Sequence, residues 1–411
     1  MYINRLKLWY IHMKRIVIGL LFLHFTVTSF SSTITVKGLN YEIDSITYIA
    51  KVLGRQNYSS LVSIPATIHH KGKKYDVVEI SYEAFKEDKN IYELRIGKNI
   101  QSIQYRAFYN CNNLKKIHFN DSLRYISYQA FEETEWLNRQ ASGVIYCGKV
   151  AYTYKEDGYN SSSVTIKPET VSIAVGCFLN ERNLKTIQLP ESLIEISEEA
   201  FENSNIEKII IPKNVLKVSD LAFAFCKNLK EIDFQGCEHI GMSVFRGCNS
   251  LHTLSLSNNL EIIEDFAFYE CSSLKTVDIP SNVIKLGGAA FEKCTSLESI
   301  ILHNGLKEIG QDAFLGCSKL EKITIPKTVE MIGSHFSNPC TLKTIFIEAE
   351  IPPVIVLPTG SENIYTEEQI FTKIIKRFWS CSEERTLYVP TGCTKKYNSA
   401  EGWNLMTIKE M

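Results

Sequence analysis

The sequence predicts a curved, right-handed leucine-rich-repeat solenoid, mostly β, with a parallel sheet on its concave face and short strands and helical turns on its convex face. Three observations predict it. Phenylalanine, usually preceded by alanine, recurs at Phe85, Phe108, Phe131, Phe178, Phe201, Phe223, Phe245, Phe268, Phe291, Phe314 and Phe336. The spacings are 22 or 23 residues except for one gap of 47, close to two periods. A period of about 20–29 residues with fixed apolar positions marks a leucine-rich repeat, and units of that size bury their apolar face only by stacking. Second, each unit carries Leu-x-x-Ile-x-Ile or a near variant, as at Leu274-x-x-Val277-x-Ile279 and Leu297-x-x-Ile300-x-Leu302. Apolar residues two apart are the alternation of a strand with one buried face. Third, Pro190, Pro212, Pro280 and Pro326 follow that strand directly, and a residue without an amide suits the place where a ladder ends.

The remaining positions of a unit follow. A second apolar pair, Val283 and Leu286 for example, lies on the return path. The segment Ala-Phe-x-x-Cys then reads as a short helical turn whose ring plugs the space between coils, with Ala keeping the turn thin.

These motifs, together with Leu114-x-x-Ile117-x-Phe119, Leu184-x-x-Ile187-x-Leu189-Pro190 and Leu251-x-x-Leu254-x-Leu256, resemble the BspA-like leucine-rich-repeat family of bacterial surface and secreted proteins. The resemblance covers roughly residues 34 to 411. It implies an exported module that binds host matrix proteins or other cells. The repeat residues themselves are core residues, so they speak for fold more than for partner.

Taken in order, residues 1–32 read as a secretory signal peptide: Lys14 and Arg15, an apolar run from Ile16 to Val27, then small polar residues from Ser29 to Thr33. Met13 offers an alternative start. The apolar run is shorter than the ~20 residues a membrane span needs. Residues 33–80 are expected to cap the first coil and 81–348 to form the array. The long gap holds Val144, Ile145, Tyr146, Val150, Tyr152 and Tyr154 around Cys147-Gly148-Lys149, a hairpin inserted at about residues 137–163. Its tyrosines either pack on the solenoid flank or meet a partner. Residues 349–411 are expected to form the C-terminal cap, with a helical face of Ile370, Ile374 and Phe378. Leu357-Pro358-Thr359-Gly360 is not a sorting signal: a residue is missing between Pro and Thr, and 51 residues follow it.

Of twelve cysteines, Cys111, Cys226, Cys248, Cys271, Cys294 and Cys317 share one repeat position, which Thr134 and Ser204 fill elsewhere. That interchange implies a buried, half-polar slot holding free thiols. Cys381 and Cys393 are the one pair suited to a bridge.

Formal net charge is −1, and −5 once residues 1–32 are removed, with basic residues scattered through the repeats. Nothing here favours nucleic acid or an anionic membrane. No catalytic, metal-binding or cofactor-binding motif is present. His69-His70 would point to opposite faces of a strand.

What remains is surface. On each strand, the residue before the first Ile and the one between the pair face out. The former run Glu93, Lys116, Thr186, Lys208, Glu231, Thr253, Thr276, Ser299, Lys322, Thr344, and the latter Arg95, His118, Gln188, Ile210, Asp233, Ser255, Asp278, Ile301, Thr324, Phe346. The apolar exceptions point to a protein partner engaging Asp278, Ile301, Thr324 and Phe346, because exposed apolar patches mark interaction sites. A glycan-binding accessory protein would need several aromatics on that face, where only Phe346 is read. A hydrolase would need a convergent acid, base or nucleophile set, and the sequence offers none.

Overall fold

A computed structural model describes residues 31–156, 162–333, 342–356 and 385–411. Residues 1–30 of the signal peptide expected at 1–32, Phe336, the helical face expected from Ile370 to Phe378, residues 357–360 and Cys381 lie outside them. The chain winds into a β-solenoid of about 14 turns with almost no helix.

Every coil supplies two strands, because two apolar pairs per repeat each present one buried face. The Leu-x-x-Ile-x-Ile segments form the first set, including Glu93–Arg95, Lys116–His118, Thr276–Asp278, Ser299–Ile301, Lys322–Ile325 and Thr344–Ile347, paired in parallel with equivalent residues in register. The return-path pairs form the second set. Strands as short as Lys285–Leu286 and Glu308–Ile309 join in parallel into an eleven-stranded sheet ending at Val354–Val356. The second sheet is the more continuous of the two, although each of its repeat strands is shorter.

Between the sheets stand the phenylalanines. From Phe178 to Phe314 successive rings stack, with centroids 5.0–5.8 Å apart. The Ala-Phe segment that holds them departs from the helical turn expected of it. Its amides alternate between a carbonyl three residues back and a carbonyl of the next coil: Phe268 N–H donates to Ala290 O at 2.8 Å, while Tyr269 N–H donates to Phe266 O at 3.0 Å. A helix would turn every amide back along the chain. Here half of them tie one coil to the next. The alternation places the residues two before and two after each Phe at positive φ, as at Phe266 and Glu270 or Ala289 and Lys293. Gly247 and Gly316 take such positions without a Cβ penalty. Elsewhere ordinary side chains accept the strain in return for the inter-coil bonds.

The hairpin, Gly143–Cys147 and Val150–Lys155, sits inside the stack. Its second strand pairs in parallel with Ser172–Ile173, taking the place of a return-path strand. Ile145, Cys147, Val150 and Tyr152 belong to the N-terminal core, while Ala151, Val144, Tyr146 and Tyr154 pack on the C-terminal one. A register shift lies between Ile145 and Tyr146, opposite Tyr152. Such bulges re-aim a side chain. The Tyr152 hydroxyl accepts the Phe131 N–H at 3.0 Å, the amide that would otherwise reach the Ala carbonyl of a following coil. Tyr152 therefore packs inside the stack and serves it, while Tyr146 and Tyr154 are only partly buried.

Both ends are closed. Ser31–Val36, Leu39–Asp44 and Ile49–Arg55 form an antiparallel meander over the first coil. Leu61–Ser63 and Lys73–Ile80, inside the segment expected as cap, already pair in parallel with repeat strands. Likewise Thr386–Val389 and Thr407–Glu410, beyond the expected array end at 348, continue the first sheet. Trp403 Nε1–H donates to Pro353 O at 2.8 Å and Tyr397 O–H to Ala349 O at 2.8 Å, pinning the last turn. Among the described residues no helix is long and apolar enough to cross a membrane.

Candidate functional site

Asp278, Ile301, Thr324 and Phe346 lie on one face of the first sheet, because the residues beside them, Val277, Ile300, Ile323 and Ile345, are buried in the core. Asp278 pairs in register with Ile301, and Thr324 with Phe346. Ile301 is 50% exposed, so its burial by a partner is a real gain. Asp278 is engaged already: its Oδ1 lies 2.8 Å from His303 Nε2.

Two residues of this face went unread in the sequence. Tyr388 lies beside Phe346, and Lys409 beside Tyr388, in the register of the sheet. The Phe346 and Tyr388 rings stack at 4.9 Å and 19°. The signal was available, since Thr386-Leu387-Tyr388-Val389-Pro390 repeats the strand-then-proline pattern of earlier units. The row Thr324, Phe346, Tyr388, Lys409 thus runs from hydroxyl through a half-buried aromatic block to a cation.

The N-terminal part of the same face differs. Glu93 accepts from Arg95 at 2.8 Å and sits 3.2 Å from His118, and Lys208 lies 2.6 Å from Glu231. Arg95 and His118 hold the Glu93 carboxyl below its usual range. Exposed pairs of this kind add little to stability, because water and salt screen them. These charges satisfy one another and leave little for a partner.

The thiol slot has a chemistry the sequence reading undervalued. Each of the six thiols donates to the carbonyl of the preceding coil's Phe, from Cys111 to Phe85 at 2.9 Å through Cys317 to Phe291 at 3.1 Å. Burial pushes Cys111, Cys226 and Cys317 up to about 12, so no thiolate forms near neutrality. Cys393 is free and buried.

A second concavity lies where the hairpin interrupts the repeat. With no Ala-Phe turn between those of Phe131 and Phe178, a cleft of about 250 Å³ opens, lined among others by Tyr128, Glu132, Tyr152, Tyr154, Asn180 and Glu181. Nothing in the sequence reading marked it, because it is made by a missing element.

The stacked coils, paired parallel sheets and phenylalanine spine define a leucine-rich-repeat solenoid. Residues 78–155, 150–259 and 238–354 match the BspA type leucine-rich-repeat region, in six copies, and the chain belongs to that family. Solved structures similar to it include a leucine-rich repeat protein from Bacteroides ovatus, 23% identical, covering 92% of this chain and 99% of that one with a TM-score of 0.46. A leucine-rich cell surface protein from Faecalibacterium prausnitzii is 22% identical, covering 81% and 96%, with a TM-score of 0.36. The pneumococcal vaccine antigen PcpA is 20% identical, covering 92% and 98%, with a TM-score of 0.37. No curated protein matches the chain.

Proposed function

We propose that the chain is an exported or cell-surface adhesion module that binds a protein partner, a host matrix or cell-surface protein, through the strand face around Ile301 and the Phe346–Tyr388 block. The observation that carries this is the half-exposed Ile301 on the same strand face as the stacked Phe346–Tyr388 pair, with Ile210, 45% exposed, as a further apolar residue of that face. Aromatic anchors ringed by near-neutral contacts are the usual energetic centre of a protein interface. Export is supported by the apolar stretch after Lys14 and Arg15, and one similar structure is described as a cell surface protein. The role is one of binding, with no catalytic step.

Tyr388 gives the glycan reading an argument that the sequence withheld, since two aromatics now share the face. The rings stack on each other, however, and so spend one face each that a sugar ring would need. Protein remains the better fit. In a panel of purified matrix proteins and a glycan array, an Ile301→Lys, Phe346→Lys double variant that folds normally should lose the parent's protein ligand. Lys116→Glu, on the self-paired half, should keep it. Binding unchanged in the double variant would place the site elsewhere, and glycan spots lost with it would favour the second reading.

A further inference from the structure

The repeat position that holds thiols in mid-array becomes a carboxylate at two places, and both are places where a run of coils begins. In the first coil it is Asp88, three residues after Phe85, and in the coil after the hairpin it is Glu181, three residues after Phe178. In mid-array the preceding coil offers the thiol a Phe carbonyl. A coil that starts a run meets a different neighbour. For Asp88 the neighbour is the cap, which supplies a guanidinium: Arg55 Nε donates to Asp88 Oδ2 at 2.6 Å and its Nη2 to Oδ1 at 2.8 Å. The Arg55 side chain is only 4% exposed, so this bidentate pair fills the slot.

Glu181 has no such partner. Its neighbour is the end of the hairpin, where it shares a hydrogen bond with the carboxyl of Glu156, and it makes no ion pair with any described residue. Asn183 Nδ2–H holds the other carboxyl from behind at 3.0 Å. Lys155 donates to the carbonyls of Leu137, Asn138 and Gln140, and its charge also draws on Glu132, whose carboxyl burial and Glu133 nonetheless raise. Glu181 lines the cleft together with Glu132, Tyr128 and Tyr154. Two carboxylates facing one space attract a cation. Tyrosine faces suit a planar one. The chain already uses that contact, with the Arg106 guanidinium 4.9 Å from the Tyr105 ring centre and 4.7 Å from that of Tyr109. A metal ion would want three or more ligating side chains together, and the described residues gather no such group.

We infer that this cleft receives a guanidinium group carried by a second molecule, which reproduces at Glu181 the contact Arg55 makes to Asp88 within the chain. The site is separate from the strand face and does not depend on what binds there. Burial and the neighbouring Glu156 push the Glu181 carboxyl up to about 7, so it offers a cation its full charge only above that pH. The guanidinium could belong to a free arginine derivative or to an arginine in a polypeptide.

Calorimetric titration of the full chain separates these. The probes are N-acetyl-arginine methylamide and a capped glycine–arginine–glycine peptide, each beside its lysine and its uncharged citrulline counterpart. Saturable binding of an arginine probe, about tenfold or more tighter than citrulline, upholds the inference. A peptide that binds when the single amino-acid derivative does not assigns the group to a polypeptide, and equal binding shows that the side chain suffices. Glu181→Ser, the residue that fills the slot at Ser204, should fold and lose about tenfold or more of that affinity, while Glu207→Gln, which does not line the cleft, should bind as the parent does. No saturation by either arginine probe, equal affinity for arginine and citrulline, equal affinity for arginine and lysine, or an unaffected Glu181→Ser would each overturn it.

Discussion

At the scale of single residues, the slot beside each Phe shows how one position can hold different chemistries. The period located it and the Cys, Ser and Thr exchange described it as small and half-polar, which the Sγ–H donation to a neighbouring carbonyl explains. The period also places Asp88 and Glu181 in that slot; what it could not say was what each one faces, because that depends on what precedes the coil. Glu181 gives a signed expectation. Its folded carboxyl is pushed up to about 7 by burial and Glu156, above the usual glutamate range. Between those two values the folded chain holds a proton that the unfolded chain has released, so stability falls as pH rises through that window. Glu181→Ser removes the group. Its thermal midpoint relative to the parent should therefore climb from about pH 4.5 to 7 and level off above, where the carboxyl is ionised in both states. A midpoint difference constant from pH 4 to 8 would show that Glu181 titrates normally.

At the scale of elements, the strands were legible and the turns were not. Alternation such as Val277-x-Ile279 names a buried face whatever lies on the other side, so the strand and its outward residues followed from sequence alone. The Ala-Phe segment looks helical because a short turn of either kind buries one ring. Only the direction of its amides separates them, and those bonds run to another coil 22 or 23 residues away. The hairpin was legible as a hairpin, yet its role rests on one hydroxyl. Tyr152 O accepts the Phe131 N–H, an amide otherwise orphaned at the break, while its ring meets Phe131 edge-on at 5.6 Å. Tyr152→Phe keeps the ring and removes the acceptor. A buried donor left unpaired costs about 1–3 kcal/mol, and chemical denaturation of the variant should show a loss of that size. A variant as stable as the parent would mean that water or a neighbouring carbonyl serves Phe131 as well.

At the scale of the whole molecule, one elongated array carries two cores. The N-terminal one runs from Leu39 to the hairpin and the C-terminal one from the hairpin to Trp403, with the two faces of the hairpin belonging to different sides. Sequence showed the gap of 47 residues but not that it divides the packing, because a hairpin read from alternation has no stated neighbours. In a stacked repeat, stability is a sum of unit and nearest-neighbour terms, so a weakened junction splits the sum. The phenylalanine spine makes this measurable. Phe108 stacks on Phe85 and Phe131 in the first core, and Phe268 on Phe245 and Phe291 in the second. Replacing either by Ala should cost about 3–5 kcal/mol in its own core. Under native-state hydrogen exchange, Phe108→Ala should speed amide exchange up to the hairpin and leave the amides beyond Phe201 at parent rates. Phe268→Ala should do the reverse. If Phe108→Ala instead loosened the C-terminal coils by the same free energy, the hairpin would couple the cores as tightly as any coil couples its neighbour, and the solenoid would unfold as a single unit.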